Sequence, residues 1–240
     1  YIAKAGDCIA CHTNSPKKGK VFAGGLPMQT PFGTIYSPNI TPDKDTGIGG
    51  WTDEQFIKAM RHGVAPSGHY YYPAFPYIYF NKVTTDDLKA LKVYLDSIPA
   101  VRQQNLANGM IWPFNVRLLQ LGWRLMFFHP TDDADKRKNQ PSPQLQRGEY
   151  LVEGLGHCAM CHSPSYQIFS DKLPLGAPIQ KFDLTGSKIQ GYLAPNITKA
   201  NLSEVSEQEI IDVFIKDRMI GGGPVQGPML EVNHDSLKYL

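Results

Sequence analysis

Cysteine is scarce in this chain and narrowly placed: four in 240 residues, none outside two five-residue stretches. No run of 18 apolar residues occurs, so no segment reads as a membrane-spanning helix. Charge is nearly balanced, at +2 net with 19% charged residues, which excludes a nucleic-acid surface as the organising feature. Runs of strand-like alternation are almost missing, which argues against a thioredoxin-like βαβ core. A signal peptide is also not visible. Tyr1 lies only seven residues before the first cysteine, and Leu240 stops where a helix would be beginning. An incomplete or mature form of a longer protein is therefore expected.

What is present is a pair of matching stretches, Cys8-Ile9-Ala10-Cys11-His12 and Cys158-Ala159-Met160-Cys161-His162. Both read Cys-x-x-Cys-His, the attachment sequence of a c-type haem. The two thiols add to the haem vinyl groups, and the adjacent histidine reaches the iron from the proximal side. A four-thiolate zinc site would bring its two knuckles within about 15–20 residues of each other, whereas here the first cysteines are 150 positions apart. Disulfides within each motif would leave His12 and His162 unexplained. Two c-type haems are expected, and because haem is attached outside the bacterial cytoplasm, so is a periplasmic location or the periplasmic face of the inner membrane.

Along the chain, residues 1–12 read as the end of a helix carrying the first motif. Thr13 to Gly50 is a long Gly- and Pro-rich stretch without periodicity, of a kind that packs around something. Thr52 with Gln55 forms a capping box, and Phe56, Ala59 and Met60 give the buried face of a helix that Gly63 ends. A second loop runs from Val64 to Lys82. Thr84 and Asp87 then open a helix through Leu88, Leu91, Tyr94 and Leu95 to Ile98, before Pro99. An extra segment, 101–128, ends in an apolar stretch interrupted by Arg117, Gln120 and Arg124, which suits an amphipathic helix. Residues 131–144 are the linker candidate. The second copy starts near Arg147. It repeats Pro38-Asn39-Ile40-Thr41 as Pro195-Asn196-Ile197-Thr198, and Ser206 with Glu209 caps a helix through Ile210, Phe214 and Ile215. Both Asn-Ile-Thr runs match a glycosylation sequon and are read as haem-side loop structure instead. The expected fold is all-α: two tandem class I cytochrome c-like domains with long haem-wrapping loops. Residues 1–130 form the first, and 145–240 the second, C-terminally incomplete.

The chain resembles the multihaem cytochrome c subunits of membrane-bound periplasmic dehydrogenases that act on alcohols, gluconate, sugars or aldehydes. The matching residues include Ala5 to Thr13, Thr30 to Asp43, Gly47 to Trp51, Tyr72 to Tyr77, Pro113 to Arg117 and Tyr150 to Cys158. The resemblance implies a non-catalytic electron-transfer subunit, working between a dehydrogenase catalytic subunit and ubiquinone or a terminal oxidase. Typical members carry a third haem domain and often a C-terminal membrane-associating helix, so the resemblance allows a third haem in a longer form of the chain and implies membrane association through such further parts or through the partner. The alternative class is a di-haem enzyme, a peroxidase or sulfur-compound oxidase, with an open first haem.

His12 and His162 are the proximal ligands. Small cytochromes c usually supply a methionine as the sixth ligand from the loop before the closing helix, and Met229 occupies that place, 34 residues after Pro195. Met219 is the rival, expected to lie at a helix end facing its own core. In the first copy the same offset falls on Tyr72, with Phe75 close by. Its distal candidates are His69, Met28, Met110 and Met126, a Tyr-facing iron, or none. In an enzyme, His69 would have to be the distal acid or base.

Overall fold

The computed structural model describes residues 1–131, 134–135, 141–168 and 173–240. Of the expected linker, residues 132–133 and 136–140 lie outside the described residues.

The helices begin where the sequence places caps. Thr52 accepts from the Gln55 backbone N–H at 3.2 Å while the Gln55 side chain accepts from Thr52, and the helix Asp53–His62 follows. Its face of Phe56, Ala59 and Met60 is buried, and Gly63 closes it with φ +59°. Thr84 caps Thr85–Ser97, which buries Leu88, Leu91 and Leu95 but leaves Tyr94 exposed. Ser206 and Glu209 form the second capping box, opening Glu207–Ile215. Each cap satisfies donors that a helix start leaves unpaired, and is worth about 1 kcal/mol.

The all-α expectation is wrong. Among the described residues the chain also forms three antiparallel sheets. The first lies inside the stretch read as irregular. Pro27–Thr30 pairs with Gly33–Tyr36, and Gly109–Met110 of the extra segment adds a third strand at Gly33 and Thr34. The others pair Ser165–Ile168 with Leu173–Pro178 and Ser187–Ile189 with Tyr192–Ala194. Strands of two to six residues are too short to show alternation. They are held by ladder hydrogen bonds, three of the four pairings within hairpins and only that of Gly109–Met110 with a distant segment, and side-chain pattern alone does not report such pairings. Gly33 shows the constraint: at φ +121°, a Cβ there would strike the backbone of Gly109 and Met110, so only glycine lets the third strand in.

The chain forms two compact units, one of residues 11–155 with Ile2, the other of Tyr1 and residues 3–10 with 156–240. In the first, Tyr77 is fully buried between Trp123, at 6.2 Å between ring centroids, and Phe128, at 5.1 Å. Leu88, Leu95 and Val83 complete that core, each burial worth about 1.5–3 kcal/mol. Asp135 accepts from the Thr85 backbone N–H and hydroxyl, both at 2.7 Å, at the start of the Thr85–Ser97 helix. In the other unit, Lys4 donates to the Asp235 carbonyl at 2.9 Å and Ser236 donates to the Lys4 carbonyl. The helix Ile2–Ala5 is thereby tied to Pro228–Asp235.

Candidate haem sites

Both motifs are preceded by a residue in the left-handed region, Asp7 at φ +50° and His157 at φ +37°. Asp and His are among the few side chains that tolerate it. The helical turns Cys8–His12 and Ala159–His162 follow, each ending on its histidine. His12 Nδ1 lies 2.8 Å from the Pro38 carbonyl, and His162 Nδ1 lies 2.8 Å from the Pro195 carbonyl. A carbonyl only accepts, so Nδ1 carries the proton in each ring and Nε2 keeps its lone pair. That is the tautomer a metal-ligating histidine needs, with its ring fixed by the carbonyl behind it. Burial holds His12 below its ordinary pKa, with the Pro38 carbonyl opposing.

The prolines are positioned by the Asn-x-Thr that follows. Asn39 Oδ1 accepts from the Thr41 N–H at 2.9 Å and hydroxyl at 2.8 Å, and Asn196 Oδ1 accepts from both Thr198 groups at 2.8 Å. These Asx turns account for the repeated tetrapeptide. Asn39 is buried, and its amide also donates to Thr46 and to the Val101 carbonyl, leaving no room for a glycan.

No disulfide is recorded between the four cysteines among the described residues. Burial pushes the Cys158 thiol up to about 11 and raises Cys161, the opposite of the lowered pKa that an attacking redox thiol needs. Among the described residues no three His, Cys, Asp or Glu side chains converge as a metal cluster would. Two thiols and an oriented imidazole, present twice, fit a haem held by two thioether bonds and one axial nitrogen.

Met229, the distal ligand expected for the second copy, lies in the first turn of Pro228–Asp235, half-buried, after Gly227 at φ +59°. Met219 is not the core residue expected. Its helix ends at Ile215, and Met219 is 48% exposed. In the first copy the Tyr72 hydroxyl donates to the Phe114 carbonyl at 3.0 Å, with Arg117 stacked 4.0 Å over its ring. Phe75 packs against Tyr71 and Phe80. His69 is exposed with Nδ1 2.8 Å from the Ser67 hydroxyl. Met28 and Met110 share one sheet, opposite Ile35 and Gly33, and Met126 points outward.

Gln120, one of the three residues that interrupt the apolar stretch, is not among the site residues that the sequence suggests. It is 8% exposed, and its Oε1 is buried without a hydrogen-bond partner. The polar stripe Arg117, Gln120, Arg124 faces inward. Arg117 donates to the Tyr70 carbonyl at 3.1 Å, and Arg124 donates to His62, the last carbonyl of its helix, while lying 4.7 Å over the Phe128 ring. Helix-end carbonyls and aromatic faces are good partners for guanidinium. The signal was the spacing itself, three polar residues at i, i+3 and i+7.

No protein-family model matches the chain. It is 42% identical over 246 residues to the gluconate 2-dehydrogenase cytochrome c subunit of Pantoea cypripedii, covering all of this chain and 55% of that protein. Identity to the alcohol dehydrogenase (quinone) cytochrome c subunit of Gluconobacter oxydans is 38% over 236 residues, 97% of this chain and 48% of the relative. The fructose dehydrogenase cytochrome subunit of Gluconobacter japonicus is 36% identical over 252 residues, again covering all of this chain and 48% of the relative. The chain thus spans about half the length of these relatives. Over that span, carrying both Cys-x-x-Cys-His motifs, it is similar to the cytochrome c subunits of these dehydrogenases.

Proposed function

We propose that this chain relays electrons from a dehydrogenase catalytic subunit to ubiquinone or a terminal oxidase through two covalently attached haems. The periplasm, or the periplasmic face of the inner membrane, is its place of work. Among the described residues no helix is long and apolar enough to cross a membrane. The observation that carries the reading is the twice-made bond from histidine Nδ1 to a proline carbonyl.

In this reading Cys8 and Cys11 hold one haem and Cys158 and Cys161 the other, within cytochrome domains 1–130 and 145–240. The haem iron supplies the one-electron couple. The protein's part is to fix and tune it: each imidazole is oriented by its carbonyl, which also raises its basicity as a ligand. On the second haem the Met229 thioether favours Fe(II) and so raises the potential. No side chain is asked to move a proton or bind a substrate. The di-haem enzyme alternative needs His69 as a distal acid or base, and the three relatives are named for dehydrogenases rather than peroxidases.

Intact-mass measurement of the denatured protein tests the reading, with an expected excess of two haems over the polypeptide. Potentiometric titration should show two one-electron steps. A mass equal to the bare chain with zinc, or rapid peroxide turnover, overturns it.

A further inference from the structure

Within the unit of residues 11–155, Gln120 carries an acceptor that nothing among the described residues meets. The side chain is buried, and its Oε1 has no hydrogen-bond partner. A buried acceptor left unmet is costly, so a glutamine in such a place calls for a partner. Its position narrows what that partner is. The Gln120 N–H donates to the Arg117 carbonyl at 3.0 Å, which sets Gln120 one turn from Arg117. Along the helix Leu119–Phe127 it stands one turn from Trp123 and Arg124. All three of those neighbours lie on residues 70–77. Arg117 stacks 4.0 Å over the Tyr72 ring and donates to the Tyr70 carbonyl, Arg124 lies 4.8 Å over the Tyr70 ring, and Trp123 meets Tyr77 at 6.2 Å. Gln120 shares the face that packs on that loop.

The same loop is where the first copy lacks a thioether. Tyr72 stands 34 residues after Pro38, as Met229 stands 34 after Pro195. The Tyr72 hydroxyl is committed to the Phe114 carbonyl, and Phe75, packed on Tyr71 and Phe80, has no atom to offer iron. Of the other candidates, His69 and Met126 are exposed. A haem with a metallated ring and ionised propionates has no hydrogen-bond donor, so what it offers an amide oxygen is its iron. We propose that Gln120 Oε1 is the axial ligand of the first haem, opposite His12. An amide oxygen is a harder ligand than a thioether and favours Fe(III), so the first haem titrates below the second. The inference rests on the relay reading and adds what holds its first iron.

The test uses the haem-loaded protein in Gln120→Met and Gln120→Leu forms. Met puts a thioether in the same place, so the near-infrared sulfur-to-iron band should gain a first-haem contribution and that haem's potential should rise. Leu removes the oxygen and lets water in. The first haem should then acquire an aqua-to-hydroxide spectral change on raising pH, which the unsubstituted chain lacks. The second haem's spectrum, unchanged in both variants, reports that the fold is intact. A first-haem potential and spectrum unmoved in both variants overturns the assignment and leaves the relay reading standing. An aqua-to-hydroxide change in the unsubstituted chain gives the place to water, and a near-infrared band already counting two thioethers gives it to a methionine; either overturns the assignment. An intact mass short of the first haem removes the relay reading and the inference together.

Discussion

The loops behind the two histidines carry the same tetrapeptide and make the same local hydrogen bonds, yet they are covered differently. Asn39 is 2% exposed, its amide donating to Thr46 and to the Val101 carbonyl of the extra segment. Asn196 is half-buried, and its described side-chain bonds are the two from Thr198. The Asx turn is therefore a local device that works in either setting, and burial is added by whatever segment comes back over it. In the first copy that segment is 101–105.

In the proposed reading the two copies differ most at the distal position, where the second offers Met229 and the first has Tyr72 and Phe75 at the matching place. Met229→His should lower the second haem's potential by on the order of 200 mV, inside the ~0.8 V range that axial ligands span, and leave the first haem unmoved. The near-infrared sulfur-to-iron band should lose the second haem's contribution. Met219→Leu, at an exposed site, should change neither. Loss of the band in Met219→Leu with retention in Met229→His would reverse the assignment.

The loop comparison can be broken by paired substitutions. Asn39→Ala strands Val101 and Thr41 partners in a buried setting and should cost about 3 kcal/mol, whereas Asn196→Ala should cost about 1 kcal/mol. Chemical denaturation of the haem-loaded protein reads both. Equal costs would mean that the cover over Asn39 contributes nothing.

Asp7 and His157 occupy equivalent positions before the two motifs and should oppose each other in pH. Burial, with Asp235 adding and Lys4 opposing, pushes Asp7 up to about 7. Its native form binds the proton more tightly than the unfolded form does, so its contribution is full below about pH 4 and is lost as pH rises through 7. Burial lowers His157 to about 4, so its contribution is present above about pH 6.5 and is lost as pH falls through 4. Asp7→Asn should leave stability rising with pH between 4 and 7, and His157→Asn should leave it falling. Each excursion should be on the order of 2 kcal/mol. Identical pH profiles for the two variants would show that these groups are not the titrating ones.

The smallest effect on stability belongs to Gln120. Replacing its amide by Leu removes a buried oxygen that no donor among the described residues meets, and should change stability by no more than about 1 kcal/mol even as the first haem's spectrum shifts. A much larger loss of stability would show that protein groups, not the iron, hold the amide.

Legible in the string of residues was whatever rests on near neighbours: the two attachment motifs, the capping boxes at Thr52 and Ser206, the C-cap at Gly63 and the repeated Pro-Asn-Ile-Thr, whose Asx turn the structure supplied. Each is a bond across two to four positions, so its partners stand side by side in the chain. Folding alone settles the sheet of Pro27–Thr30, Gly33–Tyr36 and Gly109–Met110, whose last strand comes from more than 70 residues away. It also settles which way Leu119–Phe127 faces. Periodicity reports that a helix has two faces, and the partners waiting at Tyr70, Tyr72 and His62 select which of them turns inward. Guanidinium groups with carbonyls and rings to meet are more stable inside than the sequence pattern suggests, and the leucines are left outside as a consequence.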